Sequence, residues 1–210
     1  MIRRAFSMGR PVPAFVLVLG LCLLPYAAQA KDILAFLQEK TATMTNVQSG
    51  FTQETSIPMF REPLRSQGRF AFVKPDTLLW EYLSPLKEGF VLRGDQGFRW
   101  QDARENRTPF TPGSDPVAAI IARQLIAWIT FDMHSIAAEY RIEQVPGPDM
   151  RLQMTPLRKD IAEIIASITI TFTPQGPASR VELKETGGGM TVISFTDTLV
   201  NAPLEAGIFK

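Results

Sequence analysis

Residues 77–83 alternate without a break. Leu78, Trp80 and Tyr82 fall on one side of an extended chain, and Leu79, Glu81 and Leu83 on the other, because successive strand side chains point to opposite faces. The same two-residue period, interrupted by Pro and Gly, runs from Val47 to about Phe110. It predicts strands at Val47–Ile57, Leu64–Val73, Thr77–Leu83, Gly89–Arg93 and Gly97–Asp102, with a weaker one reaching Phe110. Pro58, Pro63, Pro75, Pro85, Gly94 and Pro109 stand at the breaks. Phe70 and Phe72 share one side of the second strand, and Arg69 takes the other. Strands resume at Ala138–Val145, Met150–Thr155, Ile164–Thr173, Arg180–Glu185 and Met190–Thr196. Pro146–Asp149, Pro174–Pro177 and Gly187–Gly189 make turns, and the tail Asn201–Lys210 is expected over the sheet edge.

Two segments change period. Lys31 to about Met44 reads as a helix, with Asp32 as N-cap and Ile33, Leu34 and Leu37 at helical spacing. Asp115 followed by Pro116 starts a second helix over Val117–Phe131. Ile120, Ile121, Leu125, Trp128 and Ile129 give that helix an apolar surface wider than one stripe. Consecutive strands joined by short turns pair antiparallel, and a long antiparallel sheet curls. The fold class expected is therefore mainly β (α+β). The architecture is an unclosed antiparallel β-barrel of roughly ten or eleven strands, with helices over its concave apolar face. The pattern leaves open whether that interior is filled or hollow.

The first thirty residues carry a different message. Arg3, Arg4 and Arg10 precede an apolar run from Ala14 to Leu24, and Ala28-Gln29-Ala30 offers a small-x-small cleavage site. The run is shorter than the ~20 residues that span a bilayer, so cleavage after Ala30 is expected over an uncleaved anchor. Residues 31–210 are then a single domain in the periplasm. Arg3-Arg4 is weak as a twin-arginine signal, and Leu21 before Cys22 is too large for a lipoprotein site. Cys22 is the only cysteine, which leaves residues 31–210 without disulfides, thiolate chemistry or cysteine-held zinc. From Lys31 onward nineteen basic residues face twenty-one acidic ones, a balance with no footprint for nucleic acid.

Candidate chemistry is sparse. His134 is the sole histidine and has no partner at metal-ligand spacing, and no Gly-x-Ser-x-Gly elbow is present. Gly187-Gly188-Gly189 lies between strands without a following helix or Lys-Ser/Thr, so it reads as a hairpin turn and not a phosphate loop. No cofactor is expected. A hydrolase centred on His134 is the weakest of the functional readings. Large apolar side chains are what stand out, with fourteen Phe, three Trp and eight Met. They fit a filled core as well as a ligand cavity.

A resemblance separates those two. Gly50-Phe51-Thr52-Gln53, Ser66-Gln67-Gly68-Arg69-Phe70, Lys74-Pro75-Asp76 leading to Leu79-Trp80-Glu81-Tyr82, Ser84-Pro85, and Gly94-Asp95 followed by Trp100 together resemble the outer-membrane lipoprotein carrier family, LolA and its relatives. The order of signal, helix, strands, helix and strands agrees over nearly the whole length. The resemblance implies a non-catalytic periplasmic carrier, for which a monomer is the natural form although the sequence leaves the oligomeric state open. Helices act as a lid, and acyl chains of a lipoprotein bind beneath them between an inner-membrane donor transporter and an outer-membrane acceptor. By position it implies a lipid-binding cavity of Phe51, Phe70, Phe72, Leu78, Trp80, Tyr82 and Trp100, faced by Ile120, Ile121, Leu125 and Trp128 of the lid helix.

The chain also departs from the family. Its usual members carry before the first of these prolines an arginine that fastens the lid. Here Lys74 stands there, without the planar five-donor fork, so Lys74 or a nearby Arg61, Arg65 or Arg69 is expected to fasten it. The segment 57–64 and the short tail after Phe209 differ too. This points to a divergent branch whose cargo is a lipoprotein, a glycolipid or another acylated envelope molecule. The competing reading is an interaction module with a solid interior that scaffolds an envelope complex.

Overall fold

The computed structural model describes residues 26–94, 96–111 and 125–210. The first half of the chain forms a meander of β1 (Asn46–Ser56), β2 (Leu64–Val73), β3 (Thr77–Ser84), β4 (Glu88–Arg93), β5 (Gln96–Gln101) and β6 (Thr108–Phe110). The second half adds β7 (Tyr140–Gln144), β8 (Met150–Pro156), β9 (Ile165–Phe172), β10 (Ala178–Glu185) and β11 (Met190–Val200). All eleven belong to one antiparallel sheet in the order β6-β5-β4-β3-β2-β1-β11-β10-β9-β8-β7. The two meanders are joined where the long β1 and β11 pair, from Val47↔Val200 to Ser56↔Met190. The edges are β6 and β7, so the sheet does not close.

Register divides the sheet into two unlike faces. Phe51 lies beside Phe195 and Gly68, Phe70 beside Trp80, and Leu78 beside Leu92. In the other meander Val181 lies beside Ile193 and Ile170, and Leu152 beside Ile170. This continuous apolar face is the inner one. Its opposite on β8–β10 is polar, with Arg151 and Arg180 reaching Glu182 at 3.4 and 3.0 Å. A slip of one residue would exchange the two faces. The register is thus held by the burial of every inner side chain at once.

Helices cover the inner face. α1 (Tyr26–Ala42) buries Leu37 completely and lays Ile33, Leu34 and Phe36 against β7–β10. It begins before Asp32, which is therefore inside the helix and not at its cap. Residues 125–130 are helical and are called α2; Leu125, Ile126 and Ile129 pack on β1–β3 while Trp128 packs toward β7–β10. Asp115, Pro116, Ile120 and Ile121 lie outside the described residues. Two short helices had no clear sequence signal. α3 (Met133–Glu139) takes the residues 138–139 expected to open β7, and α4 (Lys159–Ala162) fills the β8–β9 connection. Asp132 caps α3, its carboxylate accepting from the backbone N–H groups of His134 and Ser135 and from the Ser135 hydroxyl. Those bonds hold the Asp132 carboxyl below its ordinary pKa.

The tail does not lie over the sheet edge. β11 ends beside β1, in the middle of the sheet, and the outer face of β2–β5 is apolar there. Ala71, Leu79, Val91 and Trp100 would be exposed, and Leu204, Ile208 and Phe209 cover them. Three arginines fasten this strap. Arg104 donates to the Ile208 carbonyl at 2.6 Å, Arg93 to the Phe209 carbonyl at 2.9 Å, and Arg69 bridges the buried Glu81 at 2.7 Å and Glu205 at 3.2 Å.

Two glycines let the rings of opposite faces approach the sheet. A Cβ on Gly68 would lie 2.3 Å from both the Glu81 carbonyl and the Phe51 ring, and one on Gly89 would lie 2.6 Å from the Trp100 ring. Gly68→Ala is expected to destabilise the fold by about 1–3 kcal/mol through overpacking, read as a lower denaturant midpoint. Wild-type stability in that variant would mean the Phe51 ring can relocate freely.

Candidate binding cavity

The inner face carries an aromatic block. Phe51 stacks on Trp80 with centroids 4.5 Å apart and meets Tyr82 edge-on at 5.4 Å. Phe70 lies 5.8 Å from Trp80 on one side and 5.4 Å from Phe195 on the other. The Tyr82 hydroxyl donates to Gln53 Oε1 at 2.9 Å, and burial raises the Tyr82 pKa, keeping the phenol neutral. Each such aromatic contact adds about 0.5–1.5 kcal/mol beyond the area it buries.

Above this block the interior is hollow and divided. One chamber, about 680 Å³, lies at the end where α1 runs into β1 and is lined by Leu37, Met44, Val47, Ile170, Phe172 and Val181 among others. The second, about 1160 Å³, lies at the opposite end of the strands. There Tyr82 and Phe90 from one meander face Ile165, Leu183 and Ile193 from the other. Trp80, Leu125 and Trp128 border both chambers and form the partition. Each volume is in or above the roughly 300–1,000 Å³ range of small-molecule sites. The Trp128 Nε1–H is buried at this partition without a hydrogen-bond partner among the described residues, a donor that a ligand carbonyl would satisfy.

The expected lining residues separate into three groups. Phe70, Trp80, Tyr82, Leu125 and Trp128 border the chambers. Phe51, Phe72 and Leu78 share their face but are packed into the floor, at 2%, 0% and 0% exposure. Trp100 is shared between the two faces. It borders the second chamber, yet pairing with Gly89 puts its ring on the outer face, against Ala71, Leu79, Val91 and Ile208. The second meander supplied lining that the sequence reading missed. Its signal was present in the alternation of Ile168, Ile170 and Phe172 and of Val181 and Leu183.

Of the lid-fastening candidates, Arg69 and Lys74 part. Arg69 is on the outer face and holds the tail, so it fastens no helix over the cavity. Burial weighs against its guanidinium, but Glu81 and Glu205 hold its pKa above the ordinary value. Lys74 Nζ donates to the Thr41 carbonyl at 2.6 Å, in the last turn of α1, where a cation also meets the negative end of the helix dipole. Asn201 grips the same junction, donating to the Thr43 carbonyl at 3.0 Å and accepting from the Thr45 N–H at 2.7 Å. His134 is exposed, and the Ser135 hydroxyl beside it is bonded to Asp132. Among the described residues no three His, Cys, Asp or Glu side chains gather as metal ligands would.

An unclosed antiparallel sheet with helices over a divided, largely apolar interior defines an open β-barrel covered by helices. The pattern of the outer membrane lipoprotein carrier protein LolA family matches residues 42–210, and the chain belongs to that family. No curated protein matches the sequence. Solved structures with a similar course include a DUF1329 family protein from Desulfovibrio piger, at 14% identity over 87% of this chain and 96% of that one, with TM-score 0.48. A LolA superfamily protein from Nitrosomonas europaea is similar at 9% identity over 86% and 97%, with TM-score 0.43. A chain of the Pseudomonas aeruginosa MucA/MucB complex is similar at 18% identity over 85% of this chain and 59% of that one, with TM-score 0.47. These are distant likenesses of fold.

Lys74→Met should loosen the end of α1. Amide exchange of residues 38–42 is expected to quicken about tenfold, the size of one charge-assisted hydrogen bond, while Lys74→Arg keeps most of the protection. Unchanged exchange in Lys74→Met would show that Asn201 alone holds the junction.

Proposed function

We propose that the protein is a non-catalytic periplasmic carrier that shelters the acyl chains of a lipoprotein or a related lipid and passes them towards the outer membrane. The observation that carries this reading is the pair of chambers between the inner face and the helices, largely apolar in lining, the larger one also lined by Glu88, Arg99, Asp102 and Asp160. At about 0.8 kcal/mol per buried methylene, a sixteen-carbon chain requires on the order of 12 kcal/mol of shelter from water. Chambers of this volume, walled by Trp, Phe, Ile and Val, can supply it. The unpaired Trp128 N–H would take an acyl carbonyl at the partition. Membership of the carrier family fits a path from an inner-membrane donor to an outer-membrane acceptor, travelled by a monomer in the periplasm after cleavage following Ala30, which leaves α1 its Lys31–Ala42 portion. A scaffold with a solid interior is the competing reading, and the chambers weigh against it. In this reading α1 and α2 are the lid, with Lys74 as its fastener.

Delipidated protein should take up a fluorescent sixteen-carbon fatty acid. Leu125→Glu, which sets a carboxylate into the partition, should weaken uptake at least about tenfold, with the melting temperature as a check on folding. Leu199→Ser, at an exposed site on β11, should leave uptake unchanged. Absence of uptake by the unaltered protein would end the carrier reading.

A further inference from the structure

The turns at one end of the strands are unusually apolar. By register, the ends of β1, β3, β8 and β10 and the starts of β2, β4, β9 and β11 all lie at this end. The β1–β2 connection exposes Met59 at 92% and Phe60 at 61%, with Leu64 beside them. The β3–β4 connection exposes Leu86, with Leu83 just before it, and the β8–β9 connection exposes Leu157 and Ile164. Only Leu199 and Val200, among the described residues, are large exposed apolar side chains at the other end. The larger chamber reaches this same end, where Ile164 and Glu88 line it.

These side chains come with a second pattern. Phe60, Leu64, Leu86 and Leu157 are each followed directly by a cation, Arg61, Arg65, Lys87 and Arg158. Arg65 pairs with Glu54 and Arg158 with Asp160, whereas Arg61, Lys87 and Lys159 have no ion pair among the described residues. Glu62, Glu88 and Glu163 share the end, so its net charge is small. An exposed apolar set of this kind marks a protein or membrane contact. A protein partner selects a contiguous, shape-matched patch with a packed centre. Here single apolar prongs project from three separate turns, each with a cation next in sequence. That geometry suits insertion at the headgroup boundary, with long basic side chains reaching lipid phosphates.

We propose that this end of the barrel docks directly on a lipid bilayer, Met59 and Phe60 entering it first and the β3–β4 and β8–β9 turns following. The mouth of the larger chamber then faces the bilayer, so an acyl chain need not cross open water. Because apolar insertion exceeds net charge, binding should resist salt. The membrane contact goes beyond the carrier reading, which requires only a protein donor and acceptor, and it stands whatever the cargo is.

The test is flotation of the full protein with mixed phosphatidylethanolamine–phosphatidylglycerol vesicles. The double variant Met59→Ser, Phe60→Ser should bind about tenfold more weakly, from the apolar area removed. Leu199→Ser, at the other end of the same chain, should bind as the unaltered protein does, which also cancels any contribution of the first thirty residues. Fatty-acid uptake in solution should persist in the rim variant, so a failed docking proposal is distinguishable from a failed carrier. Equal flotation of rim and control variants would overturn the proposal. So would binding to native membranes that vesicles of their extracted lipids do not reproduce, which would give the rim to a protein partner.

Discussion

An eleven-stranded sheet that stays open has an inner face its own strands cannot cover, and that constraint organises the molecule. The apolar inner positions of both meanders are placed by the β1–β11 pairing, which brings Phe51 beside Phe195. Once they are there, something must cover them, and α1 and α2 do so. Among the described residues these helices span a wide curved surface without filling it, and open space lies on either side of the Trp80–Leu125–Trp128 partition. The cavity is the consequence of covering a barrel with helices and not closing it with strands.

The outer face of β2–β5 poses the same problem on a smaller scale and is solved by a different element. Gly68 and Gly89 admit aromatic rings close to the sheet on opposite faces. The outer ring, Trp100, would be exposed without Leu204, Ile208 and Phe209. One of the arginines that hold this strap, Arg69, meets a buried carboxylate, Glu81. Breaking such a pair from one side costs more than the pair contributes, since it leaves a charge buried alone. The outer face of β2–β5 is therefore sealed, whereas the inner face is roomy, and Lys74 and Asn201 grip the junction of α1 and β1 beside it.

Much of this was legible in the sequence, and the failures have physical causes. The two-residue period located the strands, with Leu64–Val73 matching to the residue, because an apolar inner face imposes alternation. Leu78, Trp80 and Tyr82 were placed on one face for the same reason. The side of Trp100 was not legible, because it depends on cross-strand register with Gly89, which a local period does not reveal. Arg69 was assigned to the lid although its parity opposes Phe70; its partners Glu81 and Glu205 are distant in sequence. The tail was sent to the edge because nothing local marks the apolar outer face of β2–β5. α3 and α4 are short helices set by a cap and by connection geometry, and neither carries an apolar period. The family resemblance, by contrast, rested on turn and strand residues whose spacing the sequence displays directly, and it held.

The measurement that tests the central claim most directly is native mass spectrometry of the protein isolated gently from the cell envelope, followed by organic extraction. A mass excess that extraction removes and that yields acyl chains is the predicted result, and it would begin to identify the cargo. A clean protein mass with no extractable lipid, from cells in which the protein is in its working location, would contradict the account and leave the hollow interior without an occupant.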